Sequence, residues 1–403
     1  MTRSLLRVLF VVIIGTGPML AQSLTGGQTP ADRPFSIVRL DPALDDIIDP
    51  GAKPELIGDR FGLTEGAVWI QEGASGYLLF SDMLDNVIYK WEPGKPISVF
   101  LENAGYTGKD FLNVGQQTRR GRSAVILIGP NGLALDPQGR IVIAAMPDRA
   151  VVRVEKDGTR TVLADRFEGK RFSGPNDVVV KSNGSVYFTD TISGLRGGAA
   201  SPARELPFSG FYLIKDGKVT LLDERFRQPE IAKTAYPNGI TLSPDEKYLY
   251  VTNGRKIYRY EIRPDDTVAN PIEFADFPGN DGIKTDRLGN LYSASGAGPG
   301  EVRITAPDGR RLGILQLPQR GGEPRQQVCA TNIAFGDADG QTLYITACMD
   351  VYHLRLKVSG RRDPVRAGLA SAPATVVAQG RLSFSPSGED TWVDECSGLV
   401  ARS

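Results

Sequence analysis

The chain has 403 residues, 41% hydrophobic and 23% charged, with 46 Gly and 27 Pro, the make-up of a soluble, turn-rich globular protein. Its 47 basic and 47 acidic side chains cancel, leaving no concentrated positive charge to hold nucleic acid. The single histidine, His353, excludes chemistry that needs two imidazoles, argues against a His-rich zinc centre, and leaves Ser173 without a triad partner.

Residues 1–21 read as an export signal: Arg3 and Arg7 precede a short apolar run from Leu5 to Gly15, and Ala21 closes Met19-Leu20-Ala21. The run is too short to span a bilayer comfortably. A mature chain starting near Gln22 is expected, secreted or periplasmic, with no membrane attachment after cleavage. Residues 34–40 then alternate like a strand.

A repeat follows. An acidic or amide residue opens a short apolar strand, a Gly or Asp turn comes next, and further strands complete the unit. The openings are Glu65-Gly66-Ala67-Val68, Asn131-Gly132-Leu133, Asn176-Asp177-Val178, Asn238-Gly239-Ile240, Asp281-Gly282-Ile283 and Asn332-Ile333-Ala334. Each is followed by strand-forming runs such as Tyr77-Leu78-Leu79-Phe80 or Tyr248-Leu249-Tyr250-Val251, and no long stretch has a helical period. Six copies at this spacing predict an all-β fold, a six-bladed β-propeller over residues 22–357. Residues 34–40 are expected to supply the outer strand of the last blade and so remove an open edge. Cys329 and Cys348 stand nearly symmetric about the turn at Asp337–Gly340, a placement that permits a disulfide or two buried thiols, and Cys396 is left over. Residues 358–403 read as a C-terminal extension.

In a propeller the innermost strands line a central channel, so the residues that open them converge at one mouth. Here they are Glu65, Asn131, Asn176, Asn238, Asp281 and Asn332, all oxygen-bearing. Hard oxygens with two carboxylates suit one divalent cation, calcium first and magnesium, manganese or zinc as alternatives. One Asn-Gly pair alone would be an ordinary turn former; six in register point to a metal site.

Glu65-Gly66-Ala67-Val68-Trp69 with Phe80-Ser81-Asp82, Ser173-Gly174-Pro175-Asn176-Asp177 with Tyr187-Phe188-Thr189-Asp190, and Pro237-Asn238-Gly239-Ile240 together resemble the senescence marker protein/gluconolactonase family. The likeness runs from about Phe61 to Leu356. It implies a six-bladed propeller with an axial divalent metal, usually calcium, and a small lactone as substrate. By that resemblance Glu65, Asn238 and Asp281 match metal ligands. Asn176 matches an amide that binds substrate or, as in the phosphotriesterase branch, completes the coordination sphere, with Asn131 close by on the substrate side. Two places depart from the pattern. Gly174 stands where animal relatives carry Arg, and Ala145–Asp148 lacks a His that many bacterial relatives have.

A carboxylate beside a divalent ion stays ionised at neutral pH, which makes Asp281 the candidate general base or nucleophile, with Glu65 second. Three readings follow: a lactonase, a calcium phosphotriesterase or esterase, and a non-catalytic ligand-binding propeller. The axial pair Glu65 and Asp281 argues against the last, because a pure binding platform has no need of it. Residues 105–122 and 194–207 are loops long enough to cover such a site.

Overall fold

The computed structural model describes residues 33–119, 123–277, 279–296, 300–319 and 329–365, together with a short strand pair, Trp392–Val393 and Val400–Ala401. The segment read as an export signal, and Cys396, lie outside the described residues. Six sheets form the ring expected from the repeats, and the described helices are 3-10 turns and one short α-turn, Pro229–Ala232. Blade 1 runs Thr64–Glu72, Ser75–Asp82, Val87–Trp91 and Ser98–Glu102 from axis to rim. The innermost strands of blades 2 to 6 are Leu133–Leu135, Pro175–Val180, Pro237–Leu242, Ile283–Thr285 and Asn332–Gly336. No described helix is long and apolar enough to cross a membrane.

The turn chemistry shows why the strands break where they do. In blade 2 the Asp136 carboxylate accepts the Gln138 and Arg140 amides, each at 2.9 Å, and Gly139 takes a φ of 72°. Blade 5 repeats the device with Asp286, Leu288, Asn290 and Gly289. A short acceptor followed by a left-handed glycine closes the hairpin between the two inner strands of a blade. Apolar residues then face neighbouring blades rather than one central core. Val142, Val178, Phe188 and Ile240 share one seam, and Tyr292, Ile333 and Ile345 another. Trp69 stacks on Tyr344 at 5.3 Å between blades 1 and 6, so its role is packing, worth about 0.5–1.5 kcal/mol beyond area burial. His353 lies in the third strand of blade 6, 3.3 Å from Glu55 on the rim strand.

The ring closes differently from the sequence expectation. Blade 6 receives its outer strand from Glu55–Gly58, which pairs with Asp350–Arg355. The earlier strand, Ser36–Arg39, adds a fifth strand to blade 5 by pairing with Arg311–Gln316. Between them, Leu44, Ile47 and Ile48 bury in the seam of blades 5 and 6, and this turns the chain from one rim to the next. Glu55–Gly58 is short and mostly exposed, so its alternation is weak; Ser36–Arg39 is the clearer strand by pattern and caps the neighbouring edge.

Cys329 and Cys348 are bridged, with Cα atoms 5.4 Å apart. The Cys348 carbonyl accepts from the Thr64 amide at 2.6 Å and from its hydroxyl at 2.9 Å, which ties the last blade to the residue before Glu65. Closing a loop of 19 residues should stabilise the fold by about 3 kcal/mol. Replacing both cysteines with Ser should therefore lower the urea-unfolding free energy by about that amount, and an unchanged midpoint would mean the bridge adds nothing.

Candidate metal centre and active site

The channel mouth is built by a repeated hydroxyl contact. Ser81, on the second strand of blade 1, donates to the Asn131 carbonyl of blade 2 at 2.7 Å. Thr189 does the same for Asn238 at 2.6 Å, and Thr252 reaches the Asp281 carbonyl at 3.4 Å. Blades 1, 3 and 4 thereby fix the opening residue of the next blade. The approach is close enough that a Cβ on Gly66 would lie 2.1 Å from the Asn131 carbonyl oxygen, and one on Gly239 2.2 Å from that of Asp281. Only glycine fits there.

Glu65, Asn131, Asn176 and Asn238 are buried at this mouth, at 3–8% exposure, while Asp281 keeps part of its surface open. The sixth position is not Asn332. Gly132 donates to the Asn176 carbonyl and Gly282 to that of Thr331, both at 2.8 Å, so Thr331 is the blade 6 counterpart of Asn176. Asn332 is the counterpart of Asp177: each side chain accepts from the next amide at 2.9 Å, Ile333 and Val178 respectively. The strand-forming look of Asn332-Ile333-Ala334 shifted the sequence register by one residue. A hydroxyl therefore occupies the sixth mouth position, and an amide lies one layer below.

Asp177 is the residue the sequence reading passed over. It follows Asn176 where four other repeats have glycine, and that substitution was the available signal. Its side chain reaches over Gly132, where a Cβ would be 2.4 Å from the carboxylate. Three carboxylates now come from alternate blades, Glu65 from blade 1, Asp177 from blade 3 and Asp281 from blade 5. Burial, then Asp281 and Asp177, push Glu65 well above the usual carboxylate range, with Asn332 and the Gly66 amide opposing. Burial and then Asp177 push Asp281 up to about 7, against a hydrogen bond from Asn238. Burial raises Asp177 as well, opposed first by Lys284.

Does this fit a cation? Glu65 Oε2 is fully buried without a hydrogen-bond partner, the kind of acceptor a metal satisfies. Both Asp177 oxygens are taken by backbone amides, Val178 at 2.9 Å and Ile240 at 3.2 Å, so Asp177 is a floor to the site. Among the described residues no three Asp, Glu, His or Cys side chains stand close enough to hold an ion by themselves. The donor set that fits is the carboxylate pair Glu65 and Asp281 completed by the amides Asn176 and Asn238, a hard-oxygen set suited to calcium.

The mouth is walled by the two long loops. Gly115 donates to the Gly194 carbonyl at 3.0 Å, Arg196 to that of Asn113 at 3.1 Å, and Val114 bridges Leu195. At Gly174 a Cβ would lie 2.6 Å from Gly194 Cα and 3.0 Å from Met146 Cγ. The places where the resemblance led one to look for Arg and His are thus filled by the 191–207 backbone and the buried Met146. Tyr236, two residues before Asn238, lies close enough to Asp281 and Glu65 for their charge to raise its hydroxyl, after burial, while Ser193 and Thr191 oppose the rise.

Without a cation, the raised acids bind more protons folded than unfolded, so stability falls as pH rises from the unfolded carboxylate range near 4 through about 7. Thermal melts in a chelator should show that fall, and millimolar calcium should flatten it. Equal pH profiles with and without calcium would separate the carboxylates from any ion.

A family model described as the SMP-30/Gluconolactonase/LRE-like region matches residues 63–349. The chain is 33% identical over 340 residues to a gluconolactonase of Zymomonas mobilis, covering 80% of this chain and 87% of the relative. A gluconolactonase structure from Xanthomonas campestris superposes with a TM-score of 0.61 at 26% identity, over 82% of this chain and 99% of that one. A regucalcin from Agrobacterium tumefaciens, described as a calcium-binding protein, shares the fold at 19% identity, with a TM-score of 0.55 over 82% and 97% of the two chains.

Proposed function

The chain belongs to the SMP-30/gluconolactonase/LRE-like family, and on that premise we propose that it hydrolyses the ester bond of a small lactone at the mouth built by Glu65, Asn176, Asn238 and Asp281. The observation that carries the reading is a buried Glu65 with an orphaned oxygen, close enough to the Asp281 carboxylate of a blade far away in sequence for the two to repel. A divalent cation held there, calcium by the chemistry of the donors, would polarise the lactone carbonyl and offset the charge that develops on it.

The chain's own groups divide the remaining work. Asp281, partly open to the mouth, takes the proton of an attacking water or attacks directly. The Asn238 hydrogen bond, which lowers the Asp281 proton affinity, holds that carboxylate in one orientation. Asn131 and Asn176 present amides toward the substrate side. The meeting of residues 105–119 with residues 194–207 limits water on one flank. The lactonase reading is favoured over a phosphotriesterase by the gluconolactonase relative, matched along nearly its whole length.

We read the chain as exported, to the periplasm or outside the cell, and the Cys329–Cys348 bridge supports an oxidising compartment.

Asp281→Asn should leave the melting profile of the calcium-loaded protein near normal and lower kcat on gluconolactone by about a hundredfold or more. Near-normal turnover in that variant removes Asp281 from the chemistry. Wild-type assays with calcium, magnesium, manganese and zinc, beside an organophosphate ester, should show lactone opening as the faster reaction. Faster organophosphate hydrolysis would reverse the choice.

A further inference from the structure

The far end of the channel is closed by the segment that follows blade 6. Lys357 donates to the Ile47 carbonyl at 2.7 Å, and the chain then crosses the ring. Gly360 bridges Asp286, donates to the Gly340 carbonyl at 2.9 Å, and lies so close to Phe335 that a Cβ would meet the ring at 1.9 Å. The Arg361 amide reaches the Thr285 carbonyl of blade 5 at 2.8 Å. Its guanidinium reaches Glu246 of blade 4 at 3.0 Å and the Val180 carbonyl of blade 3 at 3.2 Å. That ion pair is largely enclosed, at 9% and 16% side-chain exposure, so it holds far better than a surface pair. Val365 ends the crossing against the seam of Val68, Leu133 and Leu135, between blades 1 and 2. Nine residues of chain thus touch inner strands or turns of blades 3, 4, 5 and 6 and the seam between blades 1 and 2.

Between this segment and the mouth lies a chamber of about 570 Å³. Its walls mix apolar residues such as Ala67, Leu133 and Val178 with charged ones: Lys284 and Asp337 from the blades, and Arg361, Arg362 and Asp363 from the crossing segment. Asp363 feels Arg361 first and Lys284 second, while Lys284 is also the cation that acts on Asp177. A file of charge therefore runs along the axis from the mouth carboxylates through Asp177 and Lys284 to Asp363. Glu65, Asp177 and Asp281 carry three negative charges, and Lys284 with one divalent cation carries three positive, so this group is neutral with the ion in place. In a partly apolar interior such charges act over longer distances than in water.

We propose that residues 358–365 are a plug that seals the far mouth of the channel, and that Lys284 and Asp363 are positioning residues that set the affinity of the cation site at the other mouth. The proposal rests on the metal reading of that mouth. It gives opposite signs to two conservative changes. Lys284→Met removes a positive charge beneath the ion and should tighten binding. Asp363→Asn removes a negative charge, leaves Arg361 and Lys284 to act on the site without it, and should weaken it.

The test is calorimetric titration of calcium into the full-length, chelator-stripped protein. Coulomb attenuation at these ranges leads us to expect about a threefold to tenfold lower Kd for Lys284→Met and a similar rise for Asp363→Asn. Wild-type and variant melts recorded beside the titrations show that each variant is folded, and Lys284→Gln repeats the first arm should Lys284→Met fail to fold. Kd values within about twofold of wild type in the folded variants, or shifts of the reverse sign, overturn the inference while leaving the metal site standing. Absence of any calcium heat in the wild type overturns both.

Discussion

Three carboxylates brought into one buried space from blades 1, 3 and 5 dominate this molecule. Folding brings Glu65, Asp177 and Asp281 together, and burial drives all three toward the protonated form, joined by carboxylate repulsion at Glu65 and Asp281. Such an arrangement opposes folding unless a counter-charge is supplied. Lys284 supplies part of it from below, and the backbone amides of Val178 and Ile240 satisfy Asp177. The proposed divalent cation would answer what is left, a Glu65 oxygen with no partner and the Asp281 carboxylate beside it.

The propeller makes this crowding affordable. Each blade is held by interblade apolar seams and by a hydroxyl or amide contact to the next opening residue, so the mouth is assembled by the scaffold before any ion arrives. The disulfide adds a covalent tie where the ring begins and ends, since the Cys348 carbonyl grips Thr64, the neighbour of Glu65. The blade starts form the mouth, and residues 105–119 and 194–207 meet beside it.

Most of this was legible from the sequence because the repeat is strict where physics allows no choice. Glycine must follow Glu65 and Asn238, since a neighbouring carbonyl passes within 2.2 Å of where a Cβ would be. The six openings, the strand number and the six-bladed ring follow from that regularity. What was not legible depends on pairing across the fold. Nothing local told Ser36–Arg39 from Glu55–Gly58 as the strand that closes blade 6, because the choice is made by Leu44, Ile47 and Ile48 burying between them. The blade 6 register slipped by one because Asn332 mimics an opening residue, and only the interblade bond from Gly282 to Thr331 reveals the offset. Asp177 sat in plain view beside Asn176, but its place as the floor of the site needs the Gly132 gap beneath it. The segment after Lys357, which composition assigns to an extension, continues across the channel as far as Val365.

The proposed cation is held by side chains from blades 1, 3, 4 and 5. A crystal structure of the protein grown with calcium, or with manganese for its anomalous signal, addresses this most directly. The account requires a single axial peak within coordination distance of Glu65, Asn238 and Asp281, with Asn176 on the same ion or one water away and Asp177 outside the first shell. An empty mouth at saturating metal, or an ion bound by surface carboxylates alone, contradicts it.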